Sequence, residues 1–528
     1  MSCTRMMWVL WLAVFIVRVP CRAASELSPA RDAALHSPSS LQLEEAGQPL
    51  CGHPSQDIDY DADVDFVDYA QFSACMAEPS GLSCPCFDTD ADTDVDLGDF
   101  VRFQIVFGWT VRQPANPSFE HAGGYGNAFA GWYQHGDVSV SETMAMHGAA
   151  SAKVTGLSSS DWDLSGVWQR LAADPGDRWS ASVWVGHSCT HPLSGATRAI
   201  LNVEWHGRDG LIRYDSFIVA DAATTCGGMA AIAPIAVGPA PEDTESLHLL
   251  LGVVQGPDDP PAEVFFDLVE FHPSDFDARQ WEEFAGGRSL DFAGRSWRVK
   301  GPGPYAPGPN YYCDSEERVW VDCADGRLHL TVSSNGLDGK WCSTEVALSE
   351  PLGYGDYIVT TVGSLADAWD ANMVLGLFLY QYVAYWEPAN FWWNPPNESD
   401  VEYSRWGDPN ELKTGQFAVQ PYDFPSHRER FEITRGEEDL TSHAFRWLPD
   451  RVEFRVWRGG PDDEAPETLI HAWTYTGPNL PRPEQPRMHI NFWHLGDSPW
   501  SWTNYEVVIA EFRFVGVGQT PPVIVNSR

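Results

Sequence analysis

Residues 394–407 read NPPNESDVEYSRWG, and the middle of this run decides how the chain is read. Glu398, Asp400 and Glu402 alternate with Ser399 and Val401. As a β-strand, with its period of 2, the run sets all three carboxyls on one face. Like charges packed this way raise one another's pKa and cost stability. The crowding is a liability unless the carboxyls are put to use.

Two carboxyls are what a glycoside-cleaving site requires. In a retaining site they stand ~5–5.5 Å apart; one attacks the anomeric carbon and the other protonates the leaving oxygen. Extended backbone separates the Cα atoms of Glu398 and Glu402 by roughly 13 Å, and long Glu side chains can lean together over Asp400. Asp400 is placed to hydrogen-bond the nucleophile, and crowding raises the pKa of the proton donor. An E-x-D-x-E run also arises on solvated strands, so the flanks matter. Residues 374–380 (VLGLFLY) read as a buried strand. Tyr382, Tyr385, Trp386, Phe391, Trp392 and Trp393 precede the acidic run, and Trp406 follows it. Acids rimmed by aromatics suit a sugar cleft better than a solvated edge.

Further segments carry a resemblance. They are VWVDCADGRLHLTV at 319–332, WCSTEV at 341–346, GYGDY at 353–357, NMVLGLFLY at 372–380 and ESDVEYSRWG at 398–407. HAFRW at 443–447, VEFRV at 452–456 and HINFW at 489–493 follow. Together they make residues 280–516 resemble glycoside hydrolase family 16. The resemblance implies a two-sheet jelly roll with a concave cleft. It implies Glu398 as nucleophile, Asp400 as assisting acid and Glu402 as general acid/base. The run lacks the bulge residue of the E-x-D-x-x-E form, so it is more similar to lichenase- and xyloglucan-transglycosylase-like members. Ser399 stands where an apolar residue is usual. Trp341, Trp386, Trp392, Trp393, Trp406, Asn491 and Trp493 are the substrate-holding candidates, with Trp406 and Trp493 foremost; core or rim packing is the competing role for the others. Glu345 matches a cleft-lining position, with a structural role equally open. Asn397-Glu398-Ser399 fits a glycosylation acceptor, but modification there would block the cleft, so the match is read as chance.

Outward from this region, short alternating runs and Gly/Pro turns dominate, with hardly a helical period. The fold expected is mainly β: two β-sandwich jelly-roll domains preceded by a small α-helical calcium-binding domain. The boundaries are 1–23 for a signal peptide, 24–50 for a flexible leader, 51–110 for the calcium-binding repeats, 112–272 and 277–516 for the sandwiches, and 517–528 for a tail. The repeats, DIDYDADVDFVDYAQF from 57 and DTDADTDVDLGDFVRF from 88, are offset by 31 residues. Asp57, Asp59, Asp61, Asp65 and Asp68, and then Asp88, Asp90, Asp92, Asp96 and Asp99, fall at EF-hand loop positions 1, 3, 5, 9 and 12. Such carboxylate density calls for a hard cation, Ca²⁺. The pair resembles a dockerin, although Ala62 and Thr93 replace the usual Gly at position 6. It implies a cohesin-like or cell-surface docking partner.

NPSFE at 116–120, HGAASAKVTG at 147–156, GVWQ at 166–169 and PGDRWSASVWV at 175–185 make residues 112–272 resemble jelly-roll carbohydrate-binding modules of families 4, 9 and 22. The resemblance implies a structural calcium shared by Glu120 and Asp267. Trp132, Trp162, Trp168 and Trp205 are candidates for sugar stacking, with core packing the favoured role for any single one.

The formal net charge of −41 over 528 residues argues against nucleic-acid partners and anionic lipid surfaces. Arg5, the apolar run at 6–17 and the small residues around Ala23 predict a signal peptide, and no later segment reads as a membrane span. An exported, secreted or cell-surface protein follows, in which disulfides are allowed. Beyond residue 23 nine cysteines remain, an odd number. Cys313 with Cys323 could staple a hairpin, and Cys189 with Cys226 could close a loop. The activity expected is a retaining endo-β-glucanase acting on a β-1,3/1,4-linked polysaccharide. The alternatives are a family 16 enzyme for xyloglucan or galactan, including transglycosylation, a glucan-binding protein without turnover, and a calcium-dependent surface scaffold.

Overall fold

In the computed structural model, the described residues are 66–76, 100, 103, 112–123, 127–274, 284, 287–307, 310–334, 341–381, 397–422, 424–437, 439–496 and 503–517. All lie in one compact unit, Gly47–Arg528. The chain is mainly β, and no described helix is long and apolar enough to cross a membrane. Strands Val319–Val321, Leu328–Ser334, Tyr505–Gly516, Gly355–Val362, Leu440–Leu448, Arg451–Arg458 and Leu469–Tyr475 pair in that order into one sheet. A second sheet runs Ser289–Phe292, Arg295–Val299, Trp341–Leu348, Arg487–His494, Met373–Tyr380, Ser399–Ser404, Gly415–Val419 and Arg428–Phe431. The sheets join where Ser333 and Ser334 pair with Cys342 and Trp341. Alternation explains the layering. Val401 and Tyr403 point inward, with Leu375, Leu377, Phe417, Trp447, Phe454 and Ile490, into one apolar core.

A second sandwich precedes it. Tyr133–His135, Asp163–Ala172, Ser246–Gln255, Arg198–Gly207 and Gly210–Ala220 form one sheet in that order. Asp137–Ser141, Ser151–Thr155, Glu263–Pro273 and Trp179–His187 form the other, and Met229–Ala231 and Ile235–Val237 both pair with its last strand. Trp132, Trp179, Trp205, Leu249 and Phe266 fill the space between. Trp132 and Trp205, at 2% and 0% exposure, are therefore core residues, not sugar platforms. Strand parity decides this for Trp205, which points inward while its neighbours Glu204 and His206 point out. The two sandwiches touch through His121 Nε2 and Asn479 Oδ1, 2.7 Å apart, and through the Gly148 amide, which donates to the Pro449 carbonyl at 2.7 Å.

Within the acidic repeats, Phe66–Cys75 is a helix that begins two residues before Asp68, and Phe100 and Phe103 are helical. Phe72 stacks on Phe103 with centroids 4.9 Å apart, so the phenylalanines that close the two repeats pack together. Asp68 is fully buried. Asp57, Asp59, Asp61, Asp65, Asp88, Asp90, Asp92, Asp96 and Asp99 lie outside the described residues, as do residues 1–50 and 518–528.

The disulfides correct one pairing. Cys189 bonds Cys226, but Cys313 bonds Cys342, and Cys323 is free and exposed. Nearness in sequence favoured Cys323. The structure instead runs Tyr311 and Tyr312 parallel to Cys342 and Ser343, which brings Cys313 and Cys342 to a Cα separation of 5.4 Å.

Candidate active site

The outer face of the second sheet carries a cleft of about 590 Å³. Glu398, Asp400 and Glu402 lie in its lining, together with Trp406, Asn491 and Trp493. The sequence arranged the three acids by alternation alone, and the neighbouring strands supply the rest. Across the floor, Asn491 pairs with Gly376, Gly376 with Glu402, and Glu402 with Gln416. One row of side chains thus crosses four strands. Gly376 keeps that row open, since a Cβ there would stand 2.5 Å from Asn491 Oδ1. That oxygen is enclosed and has no hydrogen-bond partner among the described residues.

Each acid has its own partner. Gln416 Nε2 donates to Glu402 Oε2 at 2.9 Å, and Gln420 Nε2 donates to Asp400 Oδ2 at 3.2 Å. The Gln420 amide reaches back to the Glu398 carbonyl at 3.3 Å, fixing the entry to the strand. Asn397, just before Glu398, is 1% exposed and is clamped on both sides of Arg482: its Oδ1 accepts the Arg482 amide at 2.5 Å and its Nδ2 donates to the Arg482 carbonyl at 2.8 Å. A residue so enclosed and so bonded has a packing role, in line with reading its acceptor motif as chance. Ser399 is fully buried on the opposite face, and its Oγ has no hydrogen-bond partner among the described residues.

Burial pushes all three carboxyls up. Asp400 rises well above the usual range, chiefly by burial and then by repulsion from Glu398 and Glu402. Burial takes Glu398 to about 8, although a hydrogen bond with Asp400 works the other way. Burial takes Glu402 to about 7, with Gln416 and then Arg430 opposing it. Burial thus raises Glu398 as well as Glu402, where the assigned roles call for a charged nucleophile beside a protonated acid. The three groups share one site and titrate as a unit. The feature that separates them is the hydrogen bond: it lowers Glu398 and raises Asp400, as a protonated Asp400 donating to a Glu398 carboxylate would.

One wall carries a charged set that only Glu345 announced in the sequence. Glu345 Oε2 takes Lys300 Nζ at 3.0 Å, and its Oε1 lies 2.8 Å from His489 Nδ1. Burial opposes the Glu345 charge, but Lys300 and His489 outweigh it and hold the carboxyl low. Phe284, Phe378, Tyr380 and Tyr422 add aromatic surface. Gln416, Gln420, Arg430 and His489 were not singled out from sequence, because strand register is needed to place them beside the acids.

The remaining candidates divide. Trp406 sits in the lining with φ of 51°, its amide bonded to Ser404 Oγ at 2.9 Å. Trp341 is 4% exposed within the core and does not reach the cleft, which corrects its assignment to substrate holding. Trp386, Trp392 and Trp393 lie outside the described residues. In the first sandwich Trp162 is 49% exposed, and Trp168 stacks on Tyr133 at 4.4 Å.

Glu120 and Asp267 both grip residues 146–150. Asp267 Oδ2 accepts the Met146 and His147 amides at 2.7 and 3.0 Å, and the Glu120 oxygens accept the Ala149 and Ala150 amides, each at 2.9 Å. A β-bulge after Asp267, where Leu268 takes a φ of 47°, aims its carboxyl into this loop. Burial raises Asp267 to about 8 and Glu120 to about 7. Two neighbouring carboxyls, offering only oxygen and resisting ionisation where they stand, are a donor set that suits a hard divalent cation.

No family model and no curated protein matches the chain. Among solved structures, a Bacillus licheniformis beta-glucanase is 18% identical, with a TM-score of 0.31, over 44% of this chain and 98% of that one. A beta-1,3-1,4-glucanase (lichenase) derived from a mouse hindgut metagenome is 16% identical, with a TM-score of 0.30, over 41% and 92%. LamAcat from Zobellia galactanivorans is 16% identical, with a TM-score of 0.30, over 44% and 95%. At that level a likeness assigns neither family nor activity.

Proposed function

We propose that this protein is an exported, retaining endo-β-glucanase that cleaves internal bonds of a β-1,3/1,4-linked glucan. The observation that carries the proposal is the row of Glu398, Asp400 and Glu402 on the floor of an aromatic-edged cleft, with a separate glutamine on each of the last two acids. The resemblance of residues 280–516 to glycoside hydrolase family 16 supports the same assignment. Glu398 attacks the anomeric carbon while Glu402 gives its proton to the departing glycosidic oxygen. Glu402 then takes a proton from water, which releases the sugar from Glu398. Asp400 donates a hydrogen bond to Glu398 and fixes which oxygen attacks. Trp406 and Trp493 offer ring faces to the sugar, and Asn491 helps to hold it.

Ca²⁺ in this reading is structural. Glu120 and Asp267 hold one ion against the loop at residues 146–150, and the aspartate repeats bind two more and present a docking face to a cohesin-like or cell-surface partner. The test of function is product analysis on purified mixed-linkage glucan, β-1,3-glucan, xyloglucan and agarose. New reducing ends from a β-glucan, formed first as the retained anomer, are expected. Binding without any release would make the protein a glucan-binding module, and inversion would remove Glu398 as nucleophile.

A further inference from the structure

The outer face of the five-stranded sheet in the first sandwich carries a group of side chains that glucan cleavage does not use. Glu204 and His206 lie two residues apart on Arg198–Gly207 and so share a face. His248, on Ser246–Gln255, pairs directly with Glu204. Glu204 Oε2 stands 3.5 Å from His206 Nε2 and 3.8 Å from His248 Nδ1. One ligand atom from each of the three residues falls within 4.8 Å of the others. The two imidazole rings lie with centroids 4.0 Å apart, and Trp168 covers His248 at 4.7 Å.

These separations are too long for good hydrogen bonds. They are close to the edge of a coordination tetrahedron, which bond lengths of ~2.0–2.2 Å set at roughly 3.3 Å. Two of the three separations thus suit ligands of a shared ion and the third lies within 4.8 Å, while the atoms bond one another poorly. His206 Nε2 is enclosed and has no hydrogen-bond partner among the described residues. Glu204 Oε1 is held by Asn202 Nδ2 at 3.1 Å, which leaves Oε2 as the free oxygen. We propose that Glu204, His206 and His248 form a binding site for a borderline divalent transition metal, Zn²⁺ foremost, with three protein ligands and a fourth position open to water.

One carboxylate oxygen beside two imidazole nitrogens is a mixed donor set of the kind that binds Zn²⁺. The other cluster of similar size, Asp322, Asp325 and His329, lacks this freedom. Asp322 and Asp325 accept backbone amides of their own turn, and His329 Nδ1 is 2.6 Å from Glu506.

The experiment is calorimetric titration of the full chain with Zn²⁺ in excess Ca²⁺, which occupies oxygen-only sites, followed by Co²⁺ in place of Zn²⁺ to read coordination from its visible absorption. One equivalent of Zn²⁺ that is lost in His206→Ala and in His248→Ala, and weakened at least tenfold in Glu204→Gln, is the expected result, with a tetrahedral Co²⁺ spectrum lost in the same variants. His206→Gln, closer in size, guards against a folding defect and must lose the ion too. The proposal is overturned by Zn²⁺ uptake unchanged in the His206 and His248 variants, by loss only in His329→Ala, or by no uptake in the unaltered chain.

Discussion

Both sandwiches bury acids, and they satisfy them by different means. In the first, Asp267 and Glu120 accept four backbone amides from residues 146–150. In the second, Glu402 and Asp400 are held by glutamine side chains in an open cleft. Amides of a fixed loop cannot follow a change in charge, so such acids lock structure. A glutamine can rotate and leaves the remaining oxygen lone pairs to a ligand, so acids held this way remain available for chemistry. The contrast predicts opposite phenotypes for equally conservative substitutions. Glu398→Gln should lower turnover on soluble β-glucan by roughly 10⁴-fold or more, with the melting temperature and glucan affinity kept. Asp267→Asn should leave turnover within a few-fold and lose stability of about 1–3 kcal/mol, together with the stabilisation by Ca²⁺. Parallel assays and calcium-dependent melts check both, and a Glu398→Gln protein that melts early but still cleaves would reverse the division.

The second sandwich also buries charge-sensitive groups that serve only its core. His443 bridges Tyr403 and Thr361, with ring nitrogens 2.6 Å from Tyr403 Oη and 2.9 Å from Thr361 Oγ1. Burial, with Arg435 adding to it, lowers its pKa to about 3. The unfolded chain takes up a proton near pH 6.5 that the folded chain refuses until about pH 3. The contribution is therefore fully present above pH 6.5 and is lost as pH falls through that window, by about 5 kcal/mol. Denaturant midpoints from pH 7 to 3 should fall accordingly, and His443→Gln should flatten the slope. Lys300→Met is the next largest effect. It strips Glu345 of its ammonium partner at a site where both side chains are at most 4% exposed. Glu345 then keeps only His489, and losing one partner of a buried ion pair costs up to about 3–5 kcal/mol, measurable by urea unfolding; the simultaneous Glu345→Gln change should recover much of it.

The two sandwiches also differ in how much the sequence discloses. The acidic strand was legible because period 2 and inward Val401 and Tyr403 leave no other face for three carboxyls. Trp406 and Trp493 followed from position in or near the same motifs. Trp341 was misjudged, while core packing was the favoured role for Trp132 and Trp205; an indole suits both a sugar and a core, and only strand parity and packing decide. Gln416, Gln420, Arg430 and the Lys300–His489 pair on Glu345 were out of reach for a different reason. They join residues 14 to 144 positions apart, and hydrogen-bond register between strands, which has no local signature, brings them together. Cys313 was misassigned on the same ground, its partner being set by a parallel pairing of distant segments.

Gln416 offers the finest test of whether side-chain partners tune the cleft acids. Its Nε2 donates to the Glu402 carboxylate, which favours the charged form and restrains a pKa that burial has already driven to about 7. In the proposed reaction the acid form protonates the leaving oxygen, so cleavage should decline as pH rises through about 7. Gln416→Leu removes the donor and disfavours the carboxylate. The Glu402 pKa should rise by roughly one unit, the value of a modest hydrogen bond to a charged group. The basic limb of kcat/KM should move to higher pH by the same amount, while the plateau changes little. Arg430→Leu, which removes a cation that also lowers Glu402, should shift the limb in the same direction. A limb that stays in place in both variants would assign the titrating proton to another member of the triplet and leave Gln416 with a packing role alone.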